Sequence, residues 1–305
     1  MFIFPALNIS AANSGEKDAI KKDSTWSNKG LFSFSMGQTS FTNWAPGGDN
    51  NVNFSSILIY DLNYKKGIIN WKNHFDLEYG SQVFWSKKPR KTNDKIYLTS
   101  KLGYRASKNW NYSLYWSLTS QFSNGYKYPN DSVPISRFMA PGYLMLGVGM
   151  DYKPFKNLSV LLSPFTNKIT VVNDATLADK GSYGVEPAVK DSAGNIIKPG
   201  QTFKSEPGGF VKIFFKHDFT KDFKVSTRLE LFSSYKQIPV NVDMRWNVLS
   251  IYRITKALAV TFSLDVVYDN DAIIKEDING DGIEEEVGPR TQVKESLGIG
   301  LSLKW

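Results

Sequence analysis

The sequence predicts an all-β fold, a single transmembrane antiparallel β-barrel of about twelve strands, and three observations predict it. Apolar and polar residues alternate with period two from Leu31 onward, the alternating runs are long, and short and long connections alternate between them. Ile69 to Tyr79 illustrates the first. Ile69, Trp71, Phe75, Leu77 and Tyr79 fall on one face around Asn73, and Asn70, Lys72, His74, Asp76 and Glu78 fall on the other. A helix would scatter these residues around its circumference; a strand sorts them.

The alternating runs lie near 29–41, 52–64, 68–80, 94–106, 110–123, 142–153, 158–171, 208–219, 223–235, 239–253, 257–268 and 290–305. Strands of soluble sheets are usually about 5–6 residues. At about 3.3 Å per residue and a tilt near 45°, runs of this length cross roughly 25–30 Å, the height of an outer-membrane apolar band. Tight turns follow at Lys65-Lys66-Gly67, Ser107-Lys108-Asn109, Pro154 to Asn157, Thr220-Lys221-Asp222 and Ile254-Thr255-Lys256. The other links, 42–51, 81–93, 124–141, 172–207 and 269–289, are long, with 236–238 the short exception. Short turns at one rim and long loops at the other is the outer-membrane pattern, with termini and short turns expected in the periplasm and long loops outside. A soluble β-sandwich is the competing reading, but its strands are shorter and its loops are not segregated by length.

Aromatic residues near strand ends, among them Tyr64, Trp71, Tyr104, Trp110 and Tyr152, fit interfacial girdles. The C-terminal Gly300-x-x-Leu303-x-Trp305 resembles the signal by which bacterial outer-membrane barrels engage their assembly machinery. At the other end, Met1 to Ser14 has an apolar stretch and small residues like those at a signal-peptidase site, without a basic start. Residues 1–28 are therefore expected to be a residual signal peptide and polar tail, and 29–305 the barrel.

Composition agrees with an exported barrel. The 305 residues contain no cysteine, which removes disulfides, thiolate metal sites and cysteine nucleophiles. No apolar run is long enough for a membrane helix. The net charge of +8 is modest and carries no basic–aromatic stripe, so nucleic acid is not an expected partner. The outer-membrane lipid bilayer, the assembly machinery and other outer-membrane proteins are.

Asn43-Trp44-Ala45-Pro46-Gly47-Gly48, then a strand, a Lys66-Gly67 turn and a strand ending in Tyr79-Gly80, resembles an uncharacterised family of Bacteroidota outer-membrane barrels, a domain of unknown function. The resemblance runs from about Trp26 to Trp305 and implies fold and location, with no chemistry to transfer. Gly47 and Gly48 read as turn residues anchored by Trp44.

Two constellations could carry function. The inward parity collects Lys72, His74, Asp76, Glu78, Arg105, Arg228, Glu230, Asp243, Arg245 and Asp265 with Asp61, Lys95, Lys101, Asp151 and Lys212, an expected luminal charge network. A twelve-stranded barrel encloses a narrow lumen, so a plugged or slender pore is expected, with anions preferred if it conducts. Asp277-Ile278-Asn279-Gly280-Asp281-Gly282 has the front half of a calcium loop, in which Asp277, Asn279, Asp281, the Ile283 carbonyl and Glu285 would offer oxygens to Ca²⁺. Position twelve is Gly288 in place of the bidentate Glu, so the loop is calcium-like without being an EF-hand. No other cofactor is indicated. A surface-active enzyme is the least supported class: the histidines are His74 and His217, and neither has a serine placed to complete a triad. The leading reading is a structural or binding component of the outer membrane, with a narrow passive channel for small, preferably anionic solutes as the alternative.

Overall fold

A computed structural model describes residues 25–42, 49–236, 241–276 and 285–304. Twelve strands form one closed antiparallel barrel. They are β1 (Trp26–Thr39), β2 (Asn51–Lys66), β3 (Ile69–Phe84), β4 (Arg90–Arg105), β5 (Trp110–Ser120) and β6 (Gly142–Tyr152). β7 (Leu158–Val171), β8 (Phe203–Asp218), β9 (Phe223–Ser234), β10 (Asp243–Arg253), β11 (Leu258–Tyr268) and β12 (Gln292–Lys304) complete the circuit. Each strand pairs with its sequence neighbours, and β12 returns to β1.

The twelve predicted runs are the twelve strands, with shifted edges. β3 continues to Phe84 and β4 begins at Arg90, so the expected long link 81–93 shrinks to 85–89. The extension includes a bulge between Gly80 and Ser81, where a Cβ on Gly80 would meet Thr92 and the Phe54 carbonyl. β1 starts at Trp26, inside the stretch expected to be tail, where Trp26 packs tilted against Tyr64 and Trp71 at centroid distances of 5.0 and 5.9 Å. The expected contrast between rims is present: the links 67–68, 106–109, 153–157, 219–222 and 254–257 lie at one rim. At the other, loop 172–202 builds a small core with the preceding loop. Helix α1 (Ala175–Asp179), N-capped by Asp174, packs Leu177 and Ala178 against Ala140, Val172 and Val185. Arg137 pairs with Asp174 at 3.0 Å, and the Tyr183 hydroxyl donates to the Ile135 carbonyl at 2.6 Å, tying this loop to its neighbour. Burial pushes the Tyr183 hydroxyl up to about 12.

The outward parity is apolar and exposed: Leu114 and Val148 on one side of the barrel, Leu297, Ile299 and Leu301 on another. At the short-turn rim it is aromatic, with Tyr104 and Tyr112 exposed and Trp110 stacked on Tyr152 at 4.6 Å. An exposed apolar surface ringed by tryptophan and tyrosine is stable in lipid and costly in water.

Candidate luminal site

The inward parity carries the polar residues, and their contacts cross the barrel. β4 and β9 are not sheet neighbours, so a hydrogen bond between them can only pass through the lumen. Tyr97 of β4 donates such a bond to Glu230 of β9. Lys212 of β8 reaches the same pair, donating to the Tyr97 hydroxyl at 2.8 Å and the Tyr115 hydroxyl at 3.1 Å and lying 3.2 Å from Glu230. Arg228 stacks its guanidinium 3.7 Å from the Tyr97 ring centroid and lies 3.7 Å from Asp76 and 3.9 Å from Glu230. Lys95 then bridges Asp76 at 2.8 Å and Glu78 at 2.7 Å. Tyr97 is 1% exposed and Arg228 5%, so the centre of the lumen is filled. Tyr115 stacks on Phe210 at 5.5 Å beside Leu161 and Phe232, adding an apolar layer to the plug.

This arrangement is physically coherent because every charge has an opposite partner or an aromatic face. Buried ions that lose one partner are strongly destabilising, and a guanidinium over a ring adds about 1–2 kcal/mol when desolvated.

The predicted charges separate into groups. His74 contacts Asp61 at 2.7 Å and turns its ring edge to Tyr97. Asp76, Glu78, Arg228 and Glu230 belong to the central cluster. Asp243 pairs with Lys168 at 2.5 Å, in a group shared with Asp269 nearer the long-loop rim. Arg245 donates to the Thr119 hydroxyl at 2.8 Å and Asp265 accepts from Asn247 at 2.8 Å. Arg105 does not join them: exposed at the short-turn rim, its guanidinium reaches the Gly67 carbonyl at 3.4 Å. Lys72 is exposed near the same rim. Lys101 and Lys153 hold Asp151 at 2.7 and 2.6 Å.

Tyr97, Tyr115, Phe210 and Lys168 are the luminal residues that sequence reasoning did not single out. Parity was the available signal, since Tyr97 shares it with Lys95 and Lys101. Aromatics in a barrel read most readily as girdle residues, and that masked it.

Opposite the plug, the lumen is lined by small residues. Ser33, Ser35 and Gly37 of β1 share their inward face with Gly298, Gly300 and Ser302 of β12, and Ser263 of β11 adjoins them. A Cβ on Gly298 would meet only Ser35 Oγ at 3.6 Å, and Ser296 is exposed.

Of the two imidazoles, His74 contacts Asp61 at 2.7 Å and His217 contacts Asn157 at 3.0 Å. No group of three or more ligand side chains among the described residues could hold a metal ion. The calcium-like Asp277, Asn279, Asp281 and Ile283 lie outside the described residues, as do Asn43, Trp44, Gly47, Gly48 and Trp305. Glu285 opens a short ribbon strand, Glu285–Pro289, paired with Ile273–Glu276. Gly300 and Leu303 are in β12, where Leu303 faces outward.

A closed twelve-stranded barrel with a charged interior, an apolar outer belt and an aromatic rim defines the class: this is an outer-membrane β-barrel. Within it, residues 36–126 match the model of a family described as protein of unknown function (DUF3078). No curated protein matches the sequence. Similar solved structures include the NanC porin, 10% identical with a TM-score of 0.37 over 90% of this chain and 100% of that one. An outer membrane channel from Pseudomonas putida F1 is 11% identical, with a TM-score of 0.38 over 94% of this chain and 100% of that chain. The translocator domain of the autotransporter NalP from Neisseria meningitidis is 10% identical, with a TM-score of 0.33 over 92% and 90%.

Proposed function

We propose that the protein is a structural or binding component of the outer membrane whose lumen is held shut, with the folded long loops as its working surface. The observation that carries this reading is the plug of Tyr97, Lys212, Arg228 and Glu230, which joins opposite walls through charge-assisted bonds. The loop core of α1, Val172 and Val185 supports it, because an ordered cap presents fixed surface to a partner. In this reading the short turns face the periplasm. Planar-bilayer recording tests it: the unmodified protein should give no steady conductance steps, and Tyr97→Ala/Arg228→Ala should produce them. Steady steps from the unmodified protein would replace the reading by its alternative.

That alternative, a narrow passage preferring small anions, is favoured by the small-residue wall of Ser35, Gly298 and Ser302 facing the plug. An enzyme is not proposed. The acidic loop after β11 is kept as a proposed Ca²⁺ loop, with Asp277, Asn279, Asp281 and Glu285 as side-chain ligands and the Ile283 carbonyl beside them.

A further inference from the structure

The barrel wall is broken at one place by its own sequence. Ser163-Pro164-Phe165 of β7 runs past Gly208-Gly209 of β8, and β7 carries one more residue here than either neighbour. Its partners step from Leu162↔Met150 to Phe165↔Val148 on β6, and from Ser163↔Phe210 to Thr166↔Gly208 on β8. Pro164 has no N–H to give the ladder, and proline in a sheet is tolerated at such bulges. Phe165 is thrown outward and is 76% exposed.

The bulge leaves a notch of about 490 Å³ in the outer face of the wall. Its floor is Gly209, where a Cβ would meet nothing closer than Tyr235 Oη at 3.7 Å. Its sides are Leu162, Val211, Leu231 and Val242. The Tyr235 hydroxyl donates to the carbonyl of Pro164, which closes one end and satisfies the backbone oxygen that the bulge releases from the ladder. Behind the glycines lies Phe232, with which a Cβ on Gly208 would collide at 2.8 Å. Phe210 and Phe232 also border a luminal cavity of about 60 Å³ lined by Tyr143 and Arg245. The wall here is one layer of backbone and two rings.

We propose that this notch is a binding site for one hydrocarbon chain, the acyl chain of a membrane lipid. The occupant follows from the lining. The sides are aliphatic apart from Ser233, and the Tyr235 hydroxyl at the rim is already spent on Pro164. A peptide or sugar would bury polar groups without partners there. The notch faces the bilayer, so acyl chains are what it meets, and pockets of several hundred cubic ångströms are of ligand size. The site does not depend on whether the lumen conducts.

The test uses the full chain in vesicles of a phospholipid carrying a photoactivatable diazirine on its acyl chain, with cross-linked peptides mapped by mass spectrometry. Labelling of the segments around Leu162, Val211 and Leu231 should exceed that of the equally lipid-facing Leu297–Leu301 segment of β12 by about fivefold or more. Gly209→Leu, whose side chain enters the notch, should abolish that excess and leave β12 labelling unchanged. Val242→Phe fills the notch from the segment just before β10 and decides the matter if Gly209→Leu does not fold, with heat-modifiable migration in gels as the check on folding. Equal labelling of the two segments, or an excess that survives a folded notch-filling variant, overturns the proposal. Conductance records bear on the plug and leave this site untouched.

Discussion

The wall between β2 and β3 and the wall between β12 and β1 are built from the same kind of strand and are joined very differently. Sixteen residue pairs hold β2 to β3, from Lys66↔Ile69 at the turn to Asn51↔Phe84 at the far end. Among the described residues four hold β1 to β12, from Leu31↔Lys304 to Phe34↔Leu301. Beyond them Ser35–Thr39 and Gln292–Gly300 keep their other neighbours, β2 and β11, and make no ladder with each other. A hairpin turn fixes register locally, whereas the closing seam joins chain ends with no turn to align them. The difference teaches that closure of this barrel is concentrated in a short segment near the short-turn rim. Backbone left unpaired in hydrocarbon is costly, so the seam is where this wall is most readily opened or completed.

The largest expected effect comes from striking the residue that adjoins the four-pair segment. A Cβ on Gly300 would fall 2.3 Å from the Phe34 carbonyl and 2.9 Å from the Ser35 Cα. Gly300→Val should therefore cost at least about 2 kcal/mol, as overpacking typically does, and lower the temperature at which the heat-modifiable band shifts in gels. A glycine-to-alanine change at Gly209, with open space around it, should leave that temperature unchanged.

Next in size is a contrast in cross-linking, made clean by the absence of native cysteine. Leu58→Cys/Leu77→Cys replaces a directly opposed outward pair of the tight wall and should oxidise readily. Gln38→Cys/Leu297→Cys occupies the positions that would oppose one another if the seam register continued, and should oxidise several-fold less. Equal yields would show the seam to be zipped along its length.

The smallest expected effect is that of calcium. The proposed acidic loop connects to β12 through the ribbon strand Glu285–Pro289, so millimolar Ca²⁺ should slow amide exchange across Gln292–Gly300 about twofold or more and give heat in calorimetric titration. Asp281→Ala should remove both. The β2–β3 amides should not respond.

Strand identity, number and facing were legible in the residue order, because a lipid face and a wetted face impose a period of two that needs no tertiary information. Ile69 to Tyr79 declares both its faces by itself. The edges of β3 and β4 were less legible: Ser81, Gln82, Lys91 and Thr92 are polar enough to read as loop, and they are strand because a bulge at Gly80 lets the ladder continue. Tyr97 was legible only by parity with Lys95 and Lys101; an aromatic between Ile96 and Leu98 otherwise looks like a belt position.

The sequence by itself determined the barrel, its count of strands and the sorting of charge to the interior. Each of these is set by alternation along a strand and by connection length. Only the tertiary structure decided which charges meet, that Tyr97 and Arg228 close the lumen, that Pro164 and Gly209 open a notch, and that four pairs hold the seam among the described residues. Those outcomes depend on the relative heights of strands far apart in the chain. Barrel closure fixes those heights, and no local pattern encodes them.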